Sequence, residues 1–290
     1  MNTVETGGTR LACFDEGSGE PVVLVHGSAN DYRTWHLQRQ ELSSHFRIII
    51  YSRRYYWPNE PIPQGVDYSM AQQVGDLRRL LEALDAGPAH LVGHSYGAFL
   101  SLLLAIAHSH LVRSLVLAEP PVLPLFVSNT PRPHEILKLL VTRPRTAASI
   151  VRFGATGVAP ARKAFKQGDL EGGIRTFGTA IFGPEGYRRL SESPKAKEVT
   201  DNLSDVKAEH LGSGFLQLDE DQVRGVRAPT LLVTGQRSIG LFHRLTDRLE
   251  NLLPRTERIA ISGASHLMHE DDAPAYNAAV LSFLGRHSTP

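Results

Sequence analysis

Apolar residues gather along this chain in two rhythms. Val22-Val23-Leu24-Val25, Leu91-Val92, Val112–Ala118 and Thr230–Thr234 are short, nearly continuous apolar runs rich in β-branched residues. Runs of that kind are the mark of strands buried on both faces. Phe46–Tyr51 reads the same way, Arg258–Ile261 predicts a further strand, and Arg10–Asp15 predicts a short first strand. The second rhythm is helical. Met70, Val74, Leu77, Leu80, Leu81 and Leu84 repeat at intervals of three and four within Tyr68–Asp85. Ser69 stands in an N-cap position and Gly87-Pro88 stops the run. Asp31–Ser44, Leu241–Leu253 and Ala273–Arg286 predict further helices, and Ala98–Ala107 follows the Leu91-Val92 strand at once. Strands alternating with helices imply an α/β fold with a mostly parallel, doubly wound sheet covered on both faces.

The alternation is interrupted once. From Val122 to about Val226 the strand rhythm disappears, and the chain reads as helices broken by glycine and proline: His134–Phe153, Pro160–Phe182 and Glu185–Leu211. It resumes at Ala228. Residues 1–121 and 227–290 therefore form the expected core domain, with 122–226 an inserted helical lid. A chain of 290 residues has room for both.

Composition removes some classes of partner. The formal net charge of +1 gives no argument for nucleic acid, and no apolar stretch has membrane-spanning length. Cys13 is the only cysteine, so no internal disulfide forms. Met1–Arg10 lacks the basic start and apolar core of a secretory signal, and the expectation is a cytoplasmic protein.

The candidate chemistry begins at Gly93-His94-Ser95-Tyr96-Gly97, between the Leu91-Val92 strand and the Ala98–Ala107 helix. The pattern is G-x-S-x-G at a strand–turn–helix junction. Glycines two residues either side of the serine let strand and helix approach, while the turn lifts the Ser95 hydroxyl clear of the sheet. The free N–H groups and dipole of the following helix favour negative charge there. Ser95 is thus the candidate nucleophile, and the N–H of Tyr96 is one candidate donor to a developing oxyanion.

His26-Gly27-Ser28, Gly93–Gly97, Pro229–Gly235 and Gly263-Ala264-Ser265-His266, in that order, resemble the α/β-hydrolase fold superfamily over nearly the whole chain. The resemblance implies an oxyanion hole completed by the N–H of Ser28, and a catalytic histidine at His266, with His269 as the fallback. His94 and His26 read as structural. Most relatives carry an aspartate three residues past the glycine that ends the strand before the last; here that residue is Ser238. Either the triad is incomplete or its carboxylate comes from elsewhere. Glu119, at the end of the strand after the nucleophile's and followed by Pro120-Pro121, is the expected acid, as in some relatives. Asp219, Glu220 and Asp221 should lie at the strand's far end, and Glu270, Asp271 and Asp272 read as helix-start charges.

The loop Ser52–Gly65 departs from the family, with Ser52-Arg53-Arg54-Tyr55-Tyr56-Trp57 where many relatives have an Asp-x-Arg-Gly-like segment. Tyr55, Tyr56 and Trp57 either seal the sheet's end or wall an apolar substrate pocket. From Ile136 to Gly168 the lid carries Lys138, Arg143, Arg145, Arg152, Arg162, Lys163 and Lys166 and no acid. Such a stretch is either a solvated face or a surface that attracts anions.

The resulting expectation is a serine hydrolase that cleaves a carboxylic ester or lactone through an acyl-enzyme on Ser95. Carbon–carbon hydrolysis of a β-diketone-like substrate and a low-turnover receptor on the same fold are the alternatives. The expected partner is a small, largely apolar substrate; no cofactor and no metal enter this reading.

Overall fold

The computed structural model describes residues 1–289. Eight strands form one sheet: β1 Asn2–Glu5, β2 Arg10–Glu16, β3 Pro21–Val25, β4 Arg47–Tyr51, β5 Ala89–His94, β6 Val112–Ala118, β7 Thr230–Gly235 and β8 Thr256–Ile261. Their spatial order is β1-β2-β4-β3-β5-β6-β7-β8, with β1 and β2 antiparallel at one edge and the rest parallel. Strand β1 is absent from the hydrophobic pattern because it is a short, largely exposed edge strand.

The core helices are α1 His36–Ser43, α2 Met70–Ala83 and α3 Tyr96–Ala107. Helix α3 is apolar nearly all round because it is buried nearly all round, from Tyr96 to Ala105. Apolar side chains fill both faces of the sheet. Val23, Ile49, Leu91 and Leu117 lie on one side, and Val22, Ile48, Val92 and Val116 on the other. Each such side chain contributes about 1.5–3 kcal/mol on leaving water.

The stretch between β6 and β7 contains no strand. It folds as α4 Pro133–Thr142, α5 Pro144–Phe153, α6 Ala159–Lys166, α7 Leu170–Ser191, α8 Lys195–Asp201, α9 Leu203–Leu211 and α10 Glu220–Arg224. The expected His134–Phe153 helix is two helices because Pro144 begins a new one. Helix α7 runs through the expected break but kinks there, at Gly183 with φ 73° and Pro184 behind it. The chain closes with α11 Gly240–Glu250, α12 Met268–Asp271 and α13 Ala273–Arg286.

Smaller expectations are corrected. Ser69 has extended backbone at the start of α2, but its side chain makes no capping bond. Residues 31–44 are not one helix: a 3₁₀ turn over Tyr32–Trp35, capped by Asp31, precedes α1. The acids at 270–272 are helix-start charges as expected: Glu270 and Asp271 lie in the first turn of α12, and Asp272 caps α13, accepting from the Ala275 N–H at 3.1 Å.

Strand order reverses between β3 and β5, since β4 lies on one side of β3 and β5 on the other. Ligands of open α/β sheets bind at such a switch point, beyond the carboxyl ends of the strands. Both His26-Gly27-Ser28 and Ser95 emerge there.

Candidate active site

Ser95 stands between β5 and α3 with φ 50° and ψ −118°, a conformation unfavourable for a residue with a side chain. The surroundings enforce it. The Ser95 N–H donates to the Ala118 carbonyl at 2.8 Å, continuing the ladder with β6. A Cβ on Gly93 would stand 2.5 Å from the Cα of Ala98, and one on Gly97 would run into the Val25 carbonyl. Only glycine fits either place. Tyr96 is the first residue of α3, so its N–H is one of the donors a helix leaves unpaired.

Ser28, Ser95, Tyr96 and His266 all line one cavity of about 500 Å³ beneath the inserted helices. Its far walls are apolar, with Ile150, Phe153, Phe177, Ile181 and Phe182 contributed by the insertion.

Glu119 directly follows β6 and is fully buried. Its Oε2 lies 2.6 Å from Nδ1 of His266. The same carboxylate accepts from the Gly235 N–H at 2.9 Å and from the Ser238 hydroxyl at 2.9 Å. Ser238, the residue standing where most relatives have an acid, thus donates to the glutamate on the neighbouring strand. A carboxylate facing Nδ1 assigns the proton to that nitrogen and leaves Nε2 free to accept one. Phe242 stacks on the His266 ring, with centroids 4.1 Å apart and planes 11° apart, and fixes its rotation.

The other histidines support this one. His94 Nε2 donates to the His266 carbonyl at 2.8 Å, and the two rings lie 4.7 Å apart. His26 Nε2 accepts from the Arg53 N–H at 2.8 Å. His269 Nε2 meets the Thr34 hydroxyl at 2.9 Å, away from Glu119. Burial is the main force that lowers the pKa of His26, His94 and His269 well below the ordinary histidine range, so these imidazoles stay neutral.

The aromatic loop seals rather than lines. Tyr55, Tyr56 and Trp57 are outside the cavity's lining. Trp57 stacks on Tyr32 and under the Arg33 guanidinium at the surface, and Tyr56 is buried. The loop instead delivers Arg53, whose side chain is fully buried. Its guanidinium donates to the Tyr68 hydroxyl at 2.6 Å, to the Gly27 carbonyl at 3.1 Å and to Glu209 Oε2 at 3.2 Å. Glu209, on α9, also accepts from the Tyr56 hydroxyl at 2.7 Å and from the Ser28 hydroxyl. A carboxylate from the inserted helices therefore reaches the cavity wall beside Ser28. Within Lys207-Ala208-Glu209-His210 it looks like any helix-surface charge. The only hint is Arg53 itself, because an arginine directly after a buried strand requires a counter-charge.

Comparison with known proteins agrees with this architecture. Residues 20–273 match the model of the alpha/beta hydrolase fold family. The chain belongs to that family. It is 38% identical over 117 residues to a 2-hydroxy-6-oxo-2,4-heptadienoate hydrolase of Pseudomonas putida, a match covering 39% of this chain and 42% of that protein. It is 25% identical over 271 residues to a putative carbamate hydrolase of Pantoea ananatis, covering 93% and 90%. Several curated relatives, the Pseudomonas putida enzyme among them, are thus matched over less than half their length. A thermophilic esterase from Thermogutta terrifontis superposes with a TM-score of 0.70 at 22% identity, covering 99% of this chain and 97% of that one. Among the described residues no cluster of metal-ligating side chains occurs, and no helix is long and apolar enough to cross a membrane.

Proposed function

We propose that the protein is a serine hydrolase that cleaves a carboxylic ester or lactone, with Ser95 as nucleophile, His266 as base and Glu119 as the acid that orients it. The observation that carries this reading is the 2.6 Å contact between Glu119 Oε2 and His266 Nδ1, in the wall of the cavity that Ser95 enters. His266 Nε2 takes the Ser95 proton as Oγ attacks the carbonyl carbon. The N–H groups of Ser28 and Tyr96 receive the developing oxyanion. Collapse of the tetrahedral intermediate expels the alcohol, which leaves with the proton from His266. Water, deprotonated by the same nitrogen, then attacks the acyl-enzyme and releases the acid. Glu119 is held from three directions and offers the imidazolium a fixed negative partner. The helices 122–226 act as a lid over an apolar acyl group, on a core of 1–121 and 227–290.

A second reading, carbon–carbon hydrolysis of a β-diketone-like acid, is favoured by the likeness to the heptadienoate hydrolase. The cavity's charges speak for the ester. Arg53 is paired with Glu209 and Lys195 with Glu198 and Glu270, so neither cation is left for a substrate carboxylate, and Arg162 donates to the His210 carbonyl.

The test is turnover of short p-nitrophenyl esters together with fluorophosphonate labelling. Rapid turnover with the label on Ser95 is expected, and folded Ser95→Ala should lose activity by about 10⁴-fold or more. Labelling without turnover would replace this reading with a receptor or binding protein.

A further inference from the structure

The helix pair α4–α5 exposes an apolar face that the hydrolase reading does not use. Leu139 of α4 is buried against the core. Leu137 and Val141, two residues either side of it, project from the opposite side and Leu140 flanks them, since successive residues turn by about 100°. Leu137 is 63% exposed and Val141 77%, and Val151 on α5 is also exposed. Exposed large aliphatic residues grouped on one hairpin mark an interaction surface.

Charge identifies the partner. Lys138, Arg143, Arg145, Arg152, Lys163 and Lys166 are all exposed in the same stretch. No acid occurs from Ile136 to Gly168. The acids that flank it are turned to other work. Glu135 accepts from the Arg132 N–H and the Ser128 hydroxyl, both at 2.8 Å, and Asp169 accepts from the Gly172 N–H at 2.8 Å. Cations surrounding exposed aliphatic side chains on a short amphipathic helix complement an anionic lipid surface, where the charges meet headgroups and the leucines reach the acyl boundary. The other face of the hairpin, through Ile150 and Phe153, walls the apolar cavity.

We infer that α4–α5 is a peripheral docking surface for anionic lipid bilayers, seating the cavity's lid at the interface. The charged arm brings the protein to the surface, and Leu137, Leu140 and Val141 distinguish a bilayer from a soluble polyanion.

The full-length protein should co-sediment with vesicles of phosphatidylcholine mixed with phosphatidylglycerol, and not with phosphatidylcholine alone. Added salt should weaken the binding. The variant Lys138→Glu/Arg145→Glu/Arg152→Glu should lose it. The variant Leu137→Ser/Val141→Ser, which keeps every charge, should lose about tenfold in affinity. Both variants change only exposed side chains outside the cavity, and unchanged hydrolysis of a soluble short ester verifies their fold. Failure of the unmodified protein to bind anionic vesicles at low salt overturns the inference. So does binding that survives Leu137→Ser/Val141→Ser undiminished, which would reassign the surface to an acidic soluble partner.

Discussion

Two buried carboxylates flank the proposed nucleophile, and they are anchored in opposite ways. Glu119 belongs to the sheet. Its neighbours are a backbone N–H, a serine hydroxyl and an imidazole, all carried by β7, β8 or the turns beyond them. Glu209 belongs to the inserted helices. Its partners Ser28, Arg53, Tyr56 and Tyr68 all come from the core, so it crosses between two layers. The first has only neutral hydrogen-bonding groups besides the histidine, and its charge is available to that ring. The second is neutralised by a buried guanidinium. One carboxylate faces an imidazole at the cavity wall, and the other ties the insertion to the loop that carries Ser28.

The sharpest way to break that comparison is to neutralise each acid in turn. Glu119→Gln should lower kcat by about 10⁴-fold, because an amide can hold the wrong histidine tautomer and carries no charge, with the fold retained. Near-normal kcat in this variant would remove Glu119 from the triad. Glu209→Gln should have the reverse profile. Leaving Arg53 buried without its partner should cost about 3–5 kcal/mol of stability, read by denaturant unfolding, with a far smaller loss of kcat in the protein that remains folded. Replacing both partners together, as Arg53→Met/Glu209→Leu, should recover much of that stability, since the cost lies in the orphaned charge. Equal stability of Glu209→Gln and the unmodified protein would mean that the pair is not formed in solution.

Those two acids also divide what was legible in the sequence from what was not. Glu119 was readable because strands announce themselves as apolar runs, and a glutamate at the end of one stands where parallel sheets do their chemistry. Ser95 was marked by the G-x-S-x-G pattern at a strand–helix junction, and His266 by the likeness of Gly263–His266 to the family. Glu209 was unreadable because a helix shows its buried face through apolar spacing, and a charge buried by pairing carries no such mark. The aromatic loop could not be decided between sealing and lining for a related reason. Tyr56 is buried as expected of its type, yet its ring faces Arg53 and Glu209 rather than the cavity. The helix break at Pro144 was missed because proline opens a helix as readily as it ends one, whereas the break expected after Phe182 is present as the kink at Gly183.

Exchange kinetics sharpen the contrast within the insertion itself. Its later helices are bolted to the core: Arg33 reaches Asp201 at 2.9 Å, Lys195 reaches Glu270 at 2.5 Å, and the Trp57 N–H donates to Asn202 at 2.8 Å. Helices α4 and α5 have no comparable ion pairs to the core among the described residues. Amide exchange should therefore be at least about tenfold faster in α4–α5 than in Val22–Val25 and Leu91–Val92, with α8–α9 between them. Uniform protection across all three would show that the insertion does not move as a lid.

The smallest effect concerns the acids that are not Glu119. Asp271 accepts from the N–H and hydroxyl of Ser265, at 2.6 and 2.5 Å, and so steadies the turn before His266. Asp271→Asn keeps an acceptor there and should change kcat less than about fivefold. Asp221 is at the surface, paired with Arg224 on its own helix, and Asp221→Asn should change nothing measurable. A collapse of kcat in either would transfer the acid's role to that residue.

The backbone at Glu119 has φ 46°, and Pro120-Pro121 follow at once. The chain turns its corner at the acid and leaves for the inserted helices within three residues. This sets the seam along which related proteins can be recombined. A chimera that exchanges the helices with a cut after Pro121 inherits the acid with the core, while a cut at Ala118 discards it. The turn after β7 has the opposite freedom. Together with the strand's last residue it contributes only the Gly235 N–H and the Ser238 hydroxyl to that acid, so a chimera that exchanges this turn needs to keep one donor and no carboxylate.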